Sequence, residues 1–289
     1  YHANPYRNFN HGVHVLLCSW LLARTEQKVS PSVEQREANN AADEELLSPR
    51  SRHVAFAAEA PSERRDKELL SPLHMLALLV AAVCHDVDHP GVNNAFLGAS
   101  HSPLAIRYND TSILESHHAA MTFTILADKR SDLLGALSTE QRKEARRLMI
   151  AAILATDMAH HQEMVKELTQ AQASDLTVPI TFTLRVLLHV ADLGNCAIRW
   201  ELSKVWSRRV CDEATAQAVR EQQLGLPCGK MSYSEDELME RQLVFVDGWV
   251  RPLFKAAAIL YPAIKERLTA INECRDACRS HTLAASKGR

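Results

Sequence analysis

The sequence predicts an all-α fold, and three observations carry that expectation. Helix breakers are scarce, with nine Gly and 11 Pro in 289 residues, while Ala, Leu, Glu, Arg and Gln are abundant. Apolar residues recur at helical spacing over most of the chain. No alternating strand pattern of useful length occurs. The 46% hydrophobic content is enough for one large core or two smaller ones.

Tyr1–Arg24 starts polar and becomes helix near Asn10, with His11 on the first turn and Val15, Leu16, Cys18 and Leu22 as a buried face. Residues 25–65 are rich in Glu, Arg, Ser, Ala and Asn, with Pro31, Pro49 and Pro61 as breakers, and read as a solvated, flexible insertion. Lys67–Cys84 is a helix ending in the longest apolar run, LHMLALLVAAVC, which is too short to span a bilayer. Pro90 and Gly91 stop the helix from running on. Asp110 or Thr111 is the expected cap of a helix carrying Glu115, His117 and His118. Two adjacent His face different ways, so at most one of them points into a site. Ser138, with Gln141 at the reciprocal position, starts a further helix, and Thr156–His161 places polar groups after the apolar run MIAAILA. Within Pro179–Trp200, TFTLRVLLHVADLGN is an apolar helix that ends in His189 and Asp192, followed by Gly194 and Asn195. An amphipathic helix over Leu202–Leu224, a loop to Ser234 and a long capped helical region to about Ser280 complete the chain.

Several classes are disfavoured. A formal net charge of −2 gives no argument for a nucleic acid or an anionic membrane as partner. The seven Cys are odd in number and contain no C-x-x-C pair, so reduced thiols in a cytoplasmic protein are expected rather than a disulfide framework. The chain begins at Tyr1, which leaves upstream segments open.

The stretch AAVCHDVDHPGVNN organises the rest. A buried helix delivers His85, Asp86, Asp88 and His89 within five positions of one another. Imidazole and carboxylate together suit Zn, Fe or Mn, and a carboxylate can bridge to a harder ion such as Mg. His11, His85, Asp86 and Asp192 complete a His₂Asp₂ set from three helices, a weak signal from spacing alone.

The motifs YRNFNH, LALLVAAVCHDVDHPGVNNAFL, YNDTSILESHHA, ATDMAHH, HVADLGN and QLVFVDGWVRPLF together resemble the catalytic domain of class I cyclic nucleotide phosphodiesterases. They occur in that family's order and cover nearly the whole chain apart from 25–65. The resemblance implies a single compact, multi-helix, HD-type catalytic domain over 1–289, lacking the family's first helices, that hydrolyses 3′,5′-cyclic nucleotides to 5′-monophosphates. By motif, His11, His85, Asp86 and Asp192 match the ligands of Zn²⁺, and Asp86 also bridges to a second divalent ion, Mg²⁺ or Mn²⁺. His89, Glu115 and Asp157 match positions in the second ion's shell or holding its waters. Gln242 matches the glutamine that hydrogen-bonds the purine, Phe245 and Val210 the apolar clamp on the base, and Asn195 a polar group near the nucleotide. The implied partner is the cyclic nucleotide; cyclic AMP and cyclic GMP both remain open, as does a dimer or membership of a larger assembly.

The chemistry agrees with those roles. Two cations about 3.5–4 Å apart can neutralise a phosphodiester and activate water for in-line attack. The base needs an apolar slot with one amide to fix its edge. Gln242 lies three residues before Phe245 on a helix and shares its face.

One departure matters most. The family motif has His where this chain has Arg7, and that His protonates the leaving 3′-oxygen. Arginine stays protonated and is a poor proton donor. General acid catalysis is worth about 10²–10⁴-fold, so activity is expected to be weakened by that factor or absent. His2 and His14 are nearby candidates for rescue. Ser116 for Asn, Cys196 for Pro and Ala218–Val219 for Gly-Asp bear on pocket shape more than on metal binding. An inactive relative serving as scaffold or regulatory subunit is the alternative, with another His-Asp metallophosphohydrolase third.

Overall fold

The computed structural model describes residues 1–29, 70–173 and 178–287. Among them every regular element is helical and no strand occurs, as the composition and periodicity predict. The helices are α1 (Phe9–Val29), α2 (Pro72–Cys84), α3 (Asn94–Ala99), α4 (Pro103–Tyr108), α5 (Ile113–Leu126) and α6 (Thr139–Leu154). They continue with α7 (His161–Ala173), α8 (Ile180–Asp192), α9 (Trp200–Gln223), α10 (Glu235–Phe245), α11 (Arg251–Leu260) and α12 (Arg267–Lys287).

The core is built around α2 and α8. In α2 the small residues Ala77, Ala81 and Ala82 are fully buried, which lets α1 and α6 approach closely. In α8 Leu184, Val186, Leu187, Leu188, Val190 and Ala191 are all buried, so the helix is covered on nearly every side. Each such large side chain contributes about 1.5–3 kcal/mol by leaving water. The helices α9, α10 and α12 pack on one another beside this bundle, and α11 joins them to α7. The short helices α3–α5 form a separate apolar cluster around Val92, Leu97, Ala105, Ile113 and Leu114.

Caps fix where the helices start. Ser71, Ser138 and Ser234 each accept from the third helical residue, and His74, Gln141 and Glu237 return the bond, so all three form capping boxes. The Ser138 and Ser234 starts are those predicted.

Three expectations need correction. The insertion was to begin at Thr25, but Thr25–Val29 continue α1 as helix; residues 30–65 of it lie outside the described residues. The helix expected from Lys67 starts only at Pro72, with 67–69 likewise outside. Neither Asp110 nor Thr111 caps α5. Asn109, Asp110 and Ser112 all adopt positive φ, so the chain turns left-handed there and Ser112 becomes the residue before the helix. The Ser112 hydroxyl donates to Asp157 Oδ2 at 2.8 Å instead of capping. The free Leu114 N–H is met from another helix, by Asn94 Oδ1 at 2.9 Å.

Candidate metal centre and adjoining cleft

His11 sits in the first turn of α1, His85 and Asp86 directly after α2, and Asp192 on the last turn of α8. Packing of those three helices brings their side chains together. His11 Nε2 lies 3.0 Å from Asp192 Oδ1 and 3.5 Å from Asp86 Oδ2. His85 Nε2 lies 3.3 Å from Asp192 Oδ1 and 3.4 Å from Asp86 Oδ2. Both imidazoles are buried.

These residues fit a tetrahedral cation. The edge of a tetrahedron with bonds of about 2.0–2.1 Å is about 3.3–3.4 Å, within the span of the four observed separations. The tautomer points the same way. His85 Nδ1 donates to the Ala82 carbonyl at 2.8 Å, so in the neutral ring Nε2 presents a lone pair to two carboxylates. Buried lone pairs facing carboxylates require a proton or a metal between them. The pKa shifts report the same charge demand. Burial opposes ionisation of His85 and both aspartates, yet Asp86 and Asp192 hold the imidazole well above its usual range, and His85 holds the carboxylates well below theirs.

A second group lies on the far side of Asp86. His118 Nδ1 donates to the Val87 carbonyl at 2.7 Å, leaving buried Nε2 3.7 Å from Asp86 Oδ1. His89 shares that group, and its Nδ1 accepts from the Gly91 N–H at 3.0 Å. The neutral His89 ring therefore carries its proton on Nε2 and acts as a donor there. Of the adjacent pair on α5, His118 enters the site, while His117 Nε2 pairs with Asp88 Oδ2 at 2.7 Å.

A cleft of about 550 Å³ opens beside these residues. Arg7, Asp86, His89, Glu115, Asp157 and Asp192 line it. Asn195, Val210, Gln242 and Phe245 line the same cavity, so every predicted catalytic and substrate-binding residue borders it. His11 and His85 do not line it, but both imidazoles approach Asp86 and Asp192, which do. Burial pushes the Glu115 carboxyl up to about 7, with Asp157 and Asp86 adding to the effect against the Asn94 amide that donates to it. Asp157 is held by Ser112 and by the Ala159 N–H.

Arg7 is anchored rather than free. Its Nη1 donates to Glu213 Oε1 at 2.9 Å, and the Tyr6 and Arg7 N–H groups both donate to Glu213 Oε2. Its Nε lies 3.8 Å from Asp86 Oδ2. Burial disfavours the guanidinium charge, but Asp86 and Glu213 outweigh it and raise the pKa further above its usual range. Neither proposed rescuer borders the cleft. His2 Nε2 is bound to Asp88 Oδ1 at 2.7 Å. His14 packs on Trp206 and Cys18, and burial lowers its pKa to about 4.

Sequence reading missed Glu213 and left open which of His117 and His118 enters the site, while Cys196, expected to bear on pocket shape, does line the cleft. The signal for His118 was present in the adjacent pair, but which of the two turns inward depends on the packing of α5. Glu213 reads as one more acid on an amphipathic helix, 206 residues from Arg7.

Comparison with known proteins places this geometry. Residues 6–271 match the family of 3′5′-cyclic nucleotide phosphodiesterases. The chain is 35% identical over 222 residues to the probable 3′,5′-cyclic-AMP phosphodiesterase pde-4 of Caenorhabditis elegans, covering 72% of this chain and 33% of that protein. It is 35% identical over 221 residues to 3′,5′-cyclic-AMP phosphodiesterase 4C of Mus musculus, covering 72% of this chain and 32% of that one. The chain thus spans about a third of the length of these relatives. The crystal structure of the phosphodiesterase domain of the RhoPDE fusion protein from Salpingoeca rosetta superposes with a TM-score of 0.81 at 27% identity, covering 99% of this chain and 81% of that one.

Proposed function

This chain belongs to the 3′5′-cyclic nucleotide phosphodiesterase family, and on that premise we propose that it opens the phosphodiester ring of cyclic AMP to a 5′-monophosphate, slowly. The observation that carries the reading is the convergence of His11, His85, Asp86 and Asp192 at the floor of a purine-sized cleft. The curated relatives are cyclic AMP enzymes, which favours that nucleotide over cyclic GMP.

His11, His85, Asp86 and Asp192 would hold zinc, and Asp86 Oδ1 with His89, Glu115 and Asp157 would serve the shell of Mg²⁺ or Mn²⁺. Together the ions supply charge neutralisation at the phosphate and activation of water. The chain's own residues do the rest. Val210 and Phe245 sandwich the base, Gln242 hydrogen-bonds its edge, and Asn195 lies near the sugar-phosphate. Neutral His89 offers a donor on Nε2, and Glu115 is poised to share a proton near neutral pH. Arg7 stands where the leaving oxygen needs a proton. Its guanidinium can stabilise the developing alkoxide by charge but is too weak an acid to protonate it.

Arg7 also favours a second reading, a metal- and nucleotide-binding relative that does not turn substrate over. One assay separates the two: hydrolysis of cyclic AMP and cyclic GMP with Mn²⁺ or Mg²⁺ by wild type, Arg7→His and Asp192→Ala. Slow wild-type turnover raised about 10²–10⁴-fold by Arg7→His is expected. Turnover absent in wild type and present in Arg7→His establishes the second reading. Turnover that survives Asp192→Ala rules out the metal assignment.

A further inference from the structure

With Arg7 where an acid belongs, the leaving 3′-oxygen needs its proton from another group in the cleft. His2 and His14 do not border the cleft, and in the proposed function His89 and Glu115 serve the shell of the second ion. Tyr6 is the chain neighbour of Arg7 and lines the cleft together with Asp192 and Asn195. Its Oη accepts from Asn195 Nδ2 at 3.1 Å. The Cys196 thiol donates to Asn195 Oδ1 at 3.3 Å, which keeps the amide nitrogen of Asn195 turned to Tyr6. A phenol both donates and accepts. The accepting side of Tyr6 Oη is thus filled, and among the described residues no acceptor takes its proton.

The surroundings suit a proton donor. The Arg7 guanidinium carbon lies 5.4 Å from the centre of the Tyr6 ring, so a fixed positive charge stands beside the phenol. Burial and Asp192 strengthen the phenol's hold on its proton, and Arg7 works against them. The ring packs on His11 and Trp206, with centroids 4.6 and 6.0 Å away, which fixes where Oη stands.

We propose that Tyr6 is a catalytic residue whose phenol protonates the leaving oxygen, with Asn195 and Arg7 bracing the phenolate that results. In that step the P–O3′ bond breaks, its electron pair stays on O3′, and the Tyr6 proton passes to that oxygen. The Asn195 N–H and the Arg7 charge hold the phenolate until it regains a proton from water. Phenols ordinarily ionise at about 10 and guanidinium groups above about 12, so Tyr6 is the better donor of the adjacent pair. It is a weaker acid than an imidazolium, which keeps turnover slow. This deepens the proposed function and rests on Asn195 lying near the sugar-phosphate.

The leaving group tests it. Bis(p-nitrophenyl) phosphate releases a nitrophenolate, which departs without a proton, whereas cyclic AMP releases a sugar oxygen that needs one. With Mn²⁺, Tyr6→Phe is expected to lower cyclic AMP turnover by about tenfold or more and turnover of the nitrophenyl ester far less. In Arg7→His the imidazole supplies the proton, so adding Tyr6→Phe should cost that variant much less than it costs wild type. Melting curves show that the variants fold, since Tyr6→Phe keeps the ring and its packing. A merely structural Tyr6 would lower both substrates and both backgrounds alike, and that result overturns the proposal. Cyclic AMP turnover unchanged in Tyr6→Phe overturns it too. Where wild type does not accept the nitrophenyl ester, the comparison with Arg7→His decides. Cyclic AMP turnover by Arg7→His but not by wild type means that Tyr6 does not act, and leaves the non-hydrolysing reading. Turnover by neither protein sinks the proposed function itself, and this proposal with it.

Discussion

Phe245 and Val210 line the cleft with apolar side chains that have no polar contact to lose on truncation. In the proposed function their part is dispersion and exclusion of water around the base. Stacking of a base on an aromatic side chain is worth about 1–3 kcal/mol by alanine substitution. Phe245→Ala is expected to weaken AMP binding by about tenfold or more while leaving thermal stability nearly unchanged, because Phe245 is only partly buried. Calorimetry beside a melting curve checks this; unchanged affinity would remove Phe245 from the base clamp. Arg7 shows how much one position can decide. Both oxygens of a buried glutamate hold its guanidinium and its backbone in place, so it is built into the site and not a surface substitution.

At the level of elements, the metal centre depends on how closely α1 lies to the end of α2. Gly12, next to His11, is a point of close approach. A Cβ there would stand 2.6 Å from Tyr1 Oη and 3.2 Å from the Val83 carbonyl, and Tyr1 Oη itself donates to that carbonyl at 2.8 Å. Gly12→Ala must therefore push the two helices apart or expel Tyr1. Overpacking of this kind costs about 1–3 kcal/mol, against the small gain that alanine brings within a helix. The expected result is a loss of stability by urea unfolding together with weakened zinc binding, since His11 moves relative to His85. Full zinc affinity in the variant would show that the α1–α2 contact does not set the ligand geometry.

Across the whole molecule, buried histidines make stability depend on pH. His189 is fully buried on α8, paired with His161 across a 2.9 Å hydrogen bond, and burial lowers its pKa from 6.5 to about 4. The unfolded chain takes up this proton near pH 6.5, whereas the folded chain does so only near 4. The stability involved is present above pH 6.5 and is lost as the pH falls towards 4. At pH 5 the loss from this one group is about 2 kcal/mol. His189→Gln should lose correspondingly less between pH 7 and pH 5, measured by urea unfolding of metal-free protein. Equal losses in the two proteins would exclude His189 as a source of acid sensitivity.

The sequence alone determined the fold class, the helix starts at Ser138 and Ser234 and the ordered motifs, because composition, capping and helical period are local properties of the chain. It also named the residues that gather round the cleft, through motif order and not through any contact visible in the line of letters. Tertiary structure decided what depends on distant groups meeting. Packing of α5 sent His118 towards Asp86 and His117 towards Asp88. The Ser112 hydroxyl went to Asp157 and left the start of α5 to Asn94, so local capping rules misplaced that cap. The partners of Arg7 and Gln242, at Glu213, Cys196 and Cys274, lie 206, 46 and 32 residues away. Hydrogen bonds across such separations exist only once the core has closed.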